Sequence, residues 1–101
     1  MKKYMNIHPG EILKEEYLTE LKISAYALGM ATGIPRANLS NIIHGKRGIT
    51  ADISIRLGKF FNQSPNFWLN IQSSYDMRKA LNENKSLIDK IPSYNKFHKV
   101  I

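Results

Sequence analysis

An all-α fold, five short helices followed by a C-terminal tail, is what this sequence predicts, and three observations predict it. Apolar residues recur at helical spacing between punctuating residues. Helix-starting signals precede those stretches at His8-Pro9, Ser24, Pro35, Thr50 and Ser64-Pro65, and stop signals follow at Gly33, Asn62 and Pro92. The chain has 101 residues, of which 43% are hydrophobic, so it fits one domain with a modest core.

The first helix is expected from Pro9 to about Leu21, after a flexible or lightly docked arm over residues 1–8. Pro9 suits the first helical position and Glu11 complements the helix dipole. Ile12, Leu13, Tyr17, Leu18 and Leu21 form its apolar stripe. The second helix starts after Ser24, whose hydroxyl can accept a free N–H of the first turn. It carries Ala25, Leu28 and Ala31 at helical spacing, with Tyr26 and Met30 beside them, and Gly33 ends it. The third runs from about Pro35 to His44, with Leu39, Ile42 and Ile43 apolar and Arg36, Asn38, Asn41 and His44 polar.

Thr50 caps the fourth helix, which buries Ala51, Ile53, Leu57, Phe60 and Phe61 and turns Arg56 and Lys59 towards phosphate or water. Ser64-Pro65 opens the fifth, expected to about Leu81. Phe67, Trp68 and Ile71 serve the core there. Tyr75, Met77 and Leu81 give more apolar surface than a small monomer needs, which points to self-association. A domain over residues 1–81 and a tail over 82–101 follow. In the tail, the segment from Ser93 to Ile101 reads as a strand, a swapped arm or a disordered end.

Helix, glycine turn, helix and then Gly45-Lys46-Arg47-Gly48 is the layout of a helix-turn-helix. In that module the second helix reads base edges while the first crosses the backbone. Arg36 can pair with guanine O6 and N7, and Asn38 or Asn41 with adenine N6 and N7. Ser24, Ser40, Lys46 and Arg47 suit phosphate. The plainer alternative is a helical hairpin inside an ordinary bundle. Charge favours the first reading: residues 21–62 hold six basic residues against one acid, so +5 of the net +7 lies in the middle of the chain.

The first helix is the opposite, holding Glu11, Glu15, Glu16 and Glu20, four of the eight acids in the chain. It is either a solvated face partly paired with Lys14 and Lys22, or a docking surface for a basic protein partner away from the DNA. Glutamates on a DNA-facing surface would repel phosphate.

Other chemistry is missing. Without cysteine there are no disulfides, cysteine metal sites or thiol nucleophile. His8, His44 and His98 lack metal-ligand spacing, and no phosphate loop, metalloprotease motif or nucleophile elbow occurs. No cofactor, no metal and no enzymatic activity are expected. The N-terminal MKKYMNIHPGE has no apolar signal core, and no apolar run is long enough to span a membrane, so a cytoplasmic location is expected.

Four segments, HPGEILKEEYL, NLSNIIHGKRGIT, RLGKFF and SPNFWLNIQSSYDMRKA, together resemble the HigA-type antitoxins of the Xre/Cro-like helix-turn-helix family, over about residues 7–81. The resemblance implies a five-helix, lambda-repressor-like domain and a homodimer joined through the C-terminal helical region. It implies binding to palindromic double-stranded operator DNA, repression of the protein's own operon, and neutralisation of a HigB-type mRNA endonuclease toxin. By matched position it places Arg36, Ala37, Asn38 and Asn41 at base-reading sites, and Ser24, Ser40, His44, Lys46 and Arg47 at phosphate sites. Two further functions stay open: a stand-alone repressor without a toxin, and a protein-binding module that has lost DNA.

Overall fold

The computed structural model describes residues 6–100. Helix α1 is one continuous stretch made of Pro9–Ile12, Leu13–Leu18 and Thr19–Leu21. It is followed by α2 (Ala25–Thr32), α3 (Arg36–Ile43), α4 (Ala51–Phe61), α5 (Phe67–Asp89) and α6 (Tyr94–Val100). The first five are the five expected helices, and α6 lies in the tail.

His8 caps α1 through its ring: Nδ1 accepts the Gly10 N–H at 2.9 Å. The middle of α1 is π-helical, and the Thr19 N–H bonds to the Lys14 carbonyl five residues back. A wider turn brings residues five apart to one face. Leu13 and Leu18 are both buried for that reason. Leu21 is not part of the stripe, being 54% exposed in the last turn, where Lys22 adopts a left-handed φ of 58° and the chain turns away.

Leu13, Leu18, Leu28, Ile34, Leu39, Ile42, Ile49, Ile53, Leu57 and Trp68 form the core. Each such side chain contributes on the order of 1.5–3 kcal/mol by leaving water. Trp68 meets Tyr17 edge-on at 5.0 Å and Phe67 at 5.4 Å. Its indole N–H donates to Gln63 Oε1 at 2.8 Å, and Gln63 Nε2 donates to the Tyr17 hydroxyl at 3.0 Å, so no polar atom of the trio is stranded. In α4 only Ile53 and Leu57 of the expected stripe are buried and Phe61 partly so. Ala51, at the first helical position, and Phe60, at the rim against Phe61, are exposed.

α5 begins at Phe67 rather than Pro65. The Ser64 hydroxyl, expected as its cap, bonds instead to the Asn66 side chain and receives the Asn66 N–H at 3.3 Å, which holds residues 64–66 in a turn. The buried Ser54 fastens this turn to α4: its Oγ donates to the Pro65 carbonyl at 2.7 Å and accepts the Leu69 N–H at 2.9 Å.

α5 also runs past Leu81 to Asp89, broken only at Asn84 (φ −122°, ψ 20°), whose side chain donates to the Ala80 carbonyl. After Pro92 the chain is helical, not extended, and the Tyr94 and His98 rings stack one turn apart at 5.4 Å. A compact chain of this length would have a radius of gyration of about 13 Å. The observed 17.8 Å, with extents of 58 × 30 × 23 Å, reflects the far half of α5 projecting from the body. The expected arm falls partly on residues 1–5, outside the described residues. Asn6 is docked on α5, donating to the Tyr75 carbonyl at 3.0 Å and accepting from Arg78 Nε at 2.8 Å.

Candidate nucleic-acid interface

The α2–α3 hairpin is built as a helix-turn-helix. Ser24 caps α2 by accepting the Ala27 N–H at 3.0 Å. Gly33 closes it with φ 76° and donates to the Gly29 carbonyl at 2.9 Å, a left-handed stop that glycine adopts at low cost. Arg56, expected to face solvent, is drawn into this turn. It donates Nη1 to the Thr32 carbonyl at 2.9 Å while Nε pairs with Asp52 at 2.9 Å. A cation at the end of a helix both fills a free carbonyl and opposes the dipole. Pro35 takes the cap position of α3 without a side-chain hydrogen bond.

α3 lies against the core through Leu39 and Ile42, with Ile43 partly buried. That orientation leaves Arg36, Ala37, Ser40, Asn41 and His44 exposed and Asn38 half-buried. The guanidinium of Arg36 sits over the Tyr26 ring, 5.8 Å from its centroid, which ties the base-reading candidate to α2. His44 Nδ1 lies 2.8 Å from the Ser40 carbonyl and so carries the proton, since a carbonyl only accepts.

The loop after α3 is shaped by a double cap. Gly45 is left-handed at φ 75°, its N–H bonds to the Ile42 carbonyl at 3.0 Å, and the Lys46 N–H bonds to the Asn41 carbonyl at 2.8 Å. This turn doubles the chain back along α3. Arg47 then donates Nη1 to Asn38 Oδ1 at 2.9 Å, joining a predicted phosphate residue to a predicted base-reading one. Ser24 and Lys46 are exposed at the two edges of the hairpin.

Two supporting residues went unrecognised in the sequence. Gly10 packs α1 on the last turn of α3 so closely that a Cβ there would lie 1.7 Å from the Ile42 carbonyl oxygen. Gln72 is buried, accepts the Ile49 N–H at 2.7 Å and donates to Asp76 at 2.9 Å, which anchors the basic loop to α5. Its signal was available: it stands four residues after Trp68 on the buried side of α5.

Glu11, Glu15, Glu16 and Glu20 are exposed. The ion pairs among the described residues are Arg56–Asp52, Lys79–Glu83 and Lys85–Asp89, so in the solvated-face reading these glutamates are not paired with Lys14 or Lys22. Glu11 and Glu15 line an open groove with His8, His44 and Tyr75, beside the end of α3 rather than remote from it. His8 is pushed below the ordinary histidine range by burial, which the Asp76 carboxylate partly opposes. Tyr75 is half-buried against His8, ring centroids 5.0 Å apart, whereas Met77 and Leu81 are 61% and 50% exposed. Among the described residues no group of three metal-binding side chains occurs, and no helix is long and apolar enough to cross a membrane.

Known proteins share this arrangement. The helix-turn-helix family model HTH_3 matches residues 13–68. Virulence-associated protein I of Dichelobacter nodosus is 42% identical over 86 residues, 85% of this chain and 80% of that protein. Antitoxin HigA-1 of Vibrio cholerae is 41% identical over 68 residues, 67% of this chain and 64% of its own. The antitoxin HigA of Pseudomonas aeruginosa, solved with the higBA promoter, superposes with a TM-score of 0.83 at 41% identity, covering 89% of this chain and 99% of that one. With the helix-turn-helix match spanning more than half of the chain and a HigA structure matched along almost its whole length, the protein belongs to the HigA antitoxin family of helix-turn-helix proteins.

Proposed function

We propose that the protein is the antitoxin of a type II toxin–antitoxin module, acting as a dimeric, sequence-specific repressor of its own operon and as the neutraliser of a HigB-type mRNA endonuclease. The observation that carries this is the exposed face of α3. Arg36 and Asn41 stand on it with Asn38 half-buried at its edge, and Lys46 and Arg47 lie on a loop whose backbone is fixed at both ends. In the proposed complex Arg36 and the two asparagines enter the major groove, and Ser24, Ser40, His44, Lys46 and Arg47 approach phosphates. Two subunits, joined through the far part of α5 around Met77 and Leu81, would meet half-sites about 34 Å apart, one turn of duplex. The likeness to a HigA solved with its promoter supports this reading, as does the basic middle of the chain.

The toxin half of the proposal rests on the exposed acidic surface of α1, which forms no ion pair among the described residues and suits a basic partner. The test is co-expression of the tagged protein with its neighbouring reading frame, followed by sizing of the purified complex. A stable complex that restores growth to toxin-expressing cells is the expected result. A partner-free dimer that still binds its own promoter would reduce the protein to a stand-alone repressor.

A further inference from the structure

The proposed DNA-reading face contains one contact that changes what it can read. Adenine was matched above to Asn38 or Asn41, and an asparagine reads it by accepting from N6 with Oδ1 and donating to N7 with Nδ2. Here Arg47 Nη1 lies 2.9 Å from Oδ1 of Asn38. Oxygen and nitrogen of a side-chain amide are easily interchanged, but guanidinium has only donors, so the atom facing it must be the oxygen. The partner therefore fixes the amide in one orientation. One of the two lone pairs of the amide oxygen is taken by Arg47, and Nδ2 has no hydrogen-bond partner among the described residues.

The contact is built by backbone rather than by chance meeting of two surface chains. The left-handed Gly45 and the Lys46-to-Asn41 bond turn the loop back along α3. Two residues past Arg47, the buried Gln72 holds the Ile49 N–H at 2.7 Å. Arg47 is thus delivered to the side of Asn38 from a loop anchored on either side of it. A guanidinium has five N–H donors, so Arg47 can hold Asn38 and still meet a phosphate.

We propose that Asn38 and Arg47 form a single reading unit in which Arg47 is a specificity-determining positioning residue. It presents Asn38 to the major groove as a donor, for a base offering acceptors there: guanine through O6 and N7, or thymine through O4. Adenine would have to share the amide oxygen with Arg47 through its second lone pair, and is therefore the weaker choice at that position. This inference rests on the α3 face reading DNA as proposed above.

The experiment is a binding selection on randomised duplexes flanking the protein's own promoter sites, run with the full-length protein and its variants. Asn38→Ala locates the base pair concerned, as the one whose preference it erases. Wild type should select guanine or thymine there. Arg47→Met should lower affinity for all sequences and, separately, shift that one position towards adenine by about tenfold, the size of one good base contact. Arg47→Lys keeps the charge but not the planar fork, so it should recover overall affinity without recovering the preference. Thermal melts check that each variant is folded; Arg47 is exposed and Asn38 half-buried.

A wild-type preference for adenine at the Asn38 position overturns the proposal. So does an Arg47→Met variant that loses affinity equally on every sequence, because Arg47 is then a phosphate contact alone. Loss of all sequence preference in the wild type is a different result, which removes the DNA-reading role itself and this inference with it.

Discussion

The amide oxygen of Gln72 accepts the backbone N–H of Ile49 at 2.7 Å, and this bond joins α5 to the loop that leaves α3. Gln72 is 7% exposed, and it packs tightly on Gly48, where a Cβ would lie 3.0 Å from the Gln72 amide carbon and would push that side chain by a few tenths of an ångström. Gln72→Ala strands a buried N–H, which costs about 1–3 kcal/mol. Urea denaturation should register that loss. Because the same loop carries Lys46 and Arg47, promoter affinity should fall as well, and an unchanged melt with unchanged affinity would show that the bond does not hold the loop.

Gly10→Ala should be more damaging than any change on the surface of α1. Its Cβ would sit 1.7 Å from the Ile42 carbonyl oxygen, a backbone atom that cannot swing aside, so α1 and α3 must separate. Overpacking of this kind costs about 1–3 kcal/mol and occasionally more. Chemical denaturation of the variant should show at least the upper end of that range. A variant as stable as wild type would mean that the helices do not approach this closely.

His8 predicts an acid-sensitive stability. Burial holds its folded-state pKa below the unfolded value, so the unfolded chain binds the proton more readily. The neutral ring's contribution is therefore complete above the ordinary histidine pKa of about 6.5 and is lost progressively as pH falls through it, until the folded pKa is passed. The capping bond from the Gly10 N–H to Nδ1 points the same way, since a protonated Nδ1 cannot accept it. Denaturation midpoints at pH 7.5 and 5.5 should differ more for wild type than for His8→Asn, whose side-chain oxygen can still cap. Equal differences would remove His8 as the cause.

Charge reversal at Glu15 and Glu16 separates the two proposed partners. Both side chains are exposed and neither takes part in an ion pair among the described residues, so the double change to lysine should leave folding intact. Toxin binding should weaken several-fold and become less sensitive to salt, while promoter binding is kept or modestly strengthened. Calorimetry with each partner reads both outcomes. Unaltered toxin affinity would make the acidic face a solvated surface.

What could be read in the sequence was local. Ser24, Gly33, Thr50 and Asn62 act where residue type alone suggests, because a cap or a left-handed stop depends on a few neighbouring backbone groups. The exposed face of α3 followed from Leu39 and Ile42 facing the core. What escaped depended on contacts between segments far apart in the chain. Nothing near Gly10 announces that Ile42 will press on it, and nothing near Arg56 announces the Thr32 carbonyl 24 residues away. The Asn38–Arg47 bond was hidden for the same reason: it exists only because Gly45 reverses the loop. The fifth helix was placed short at its far end because Leu81 closes the apolar pattern, whereas the backbone stays helical to Asp89.

The most direct test of the central claim is the affinity of wild type and Arg36→Ala for the protein's own promoter and for a scrambled duplex, measured at several salt concentrations. Arg36 is exposed at the start of α3 over Tyr26, where a bidentate contact to guanine can form. The account predicts that wild type prefers its promoter, with affinity falling steeply as salt rises. It predicts that Arg36→Ala loses about 1–3 kcal/mol on the promoter and much less on the scrambled duplex. An unchanged ratio between the two duplexes would contradict the assignment of this helix as the one that reads DNA.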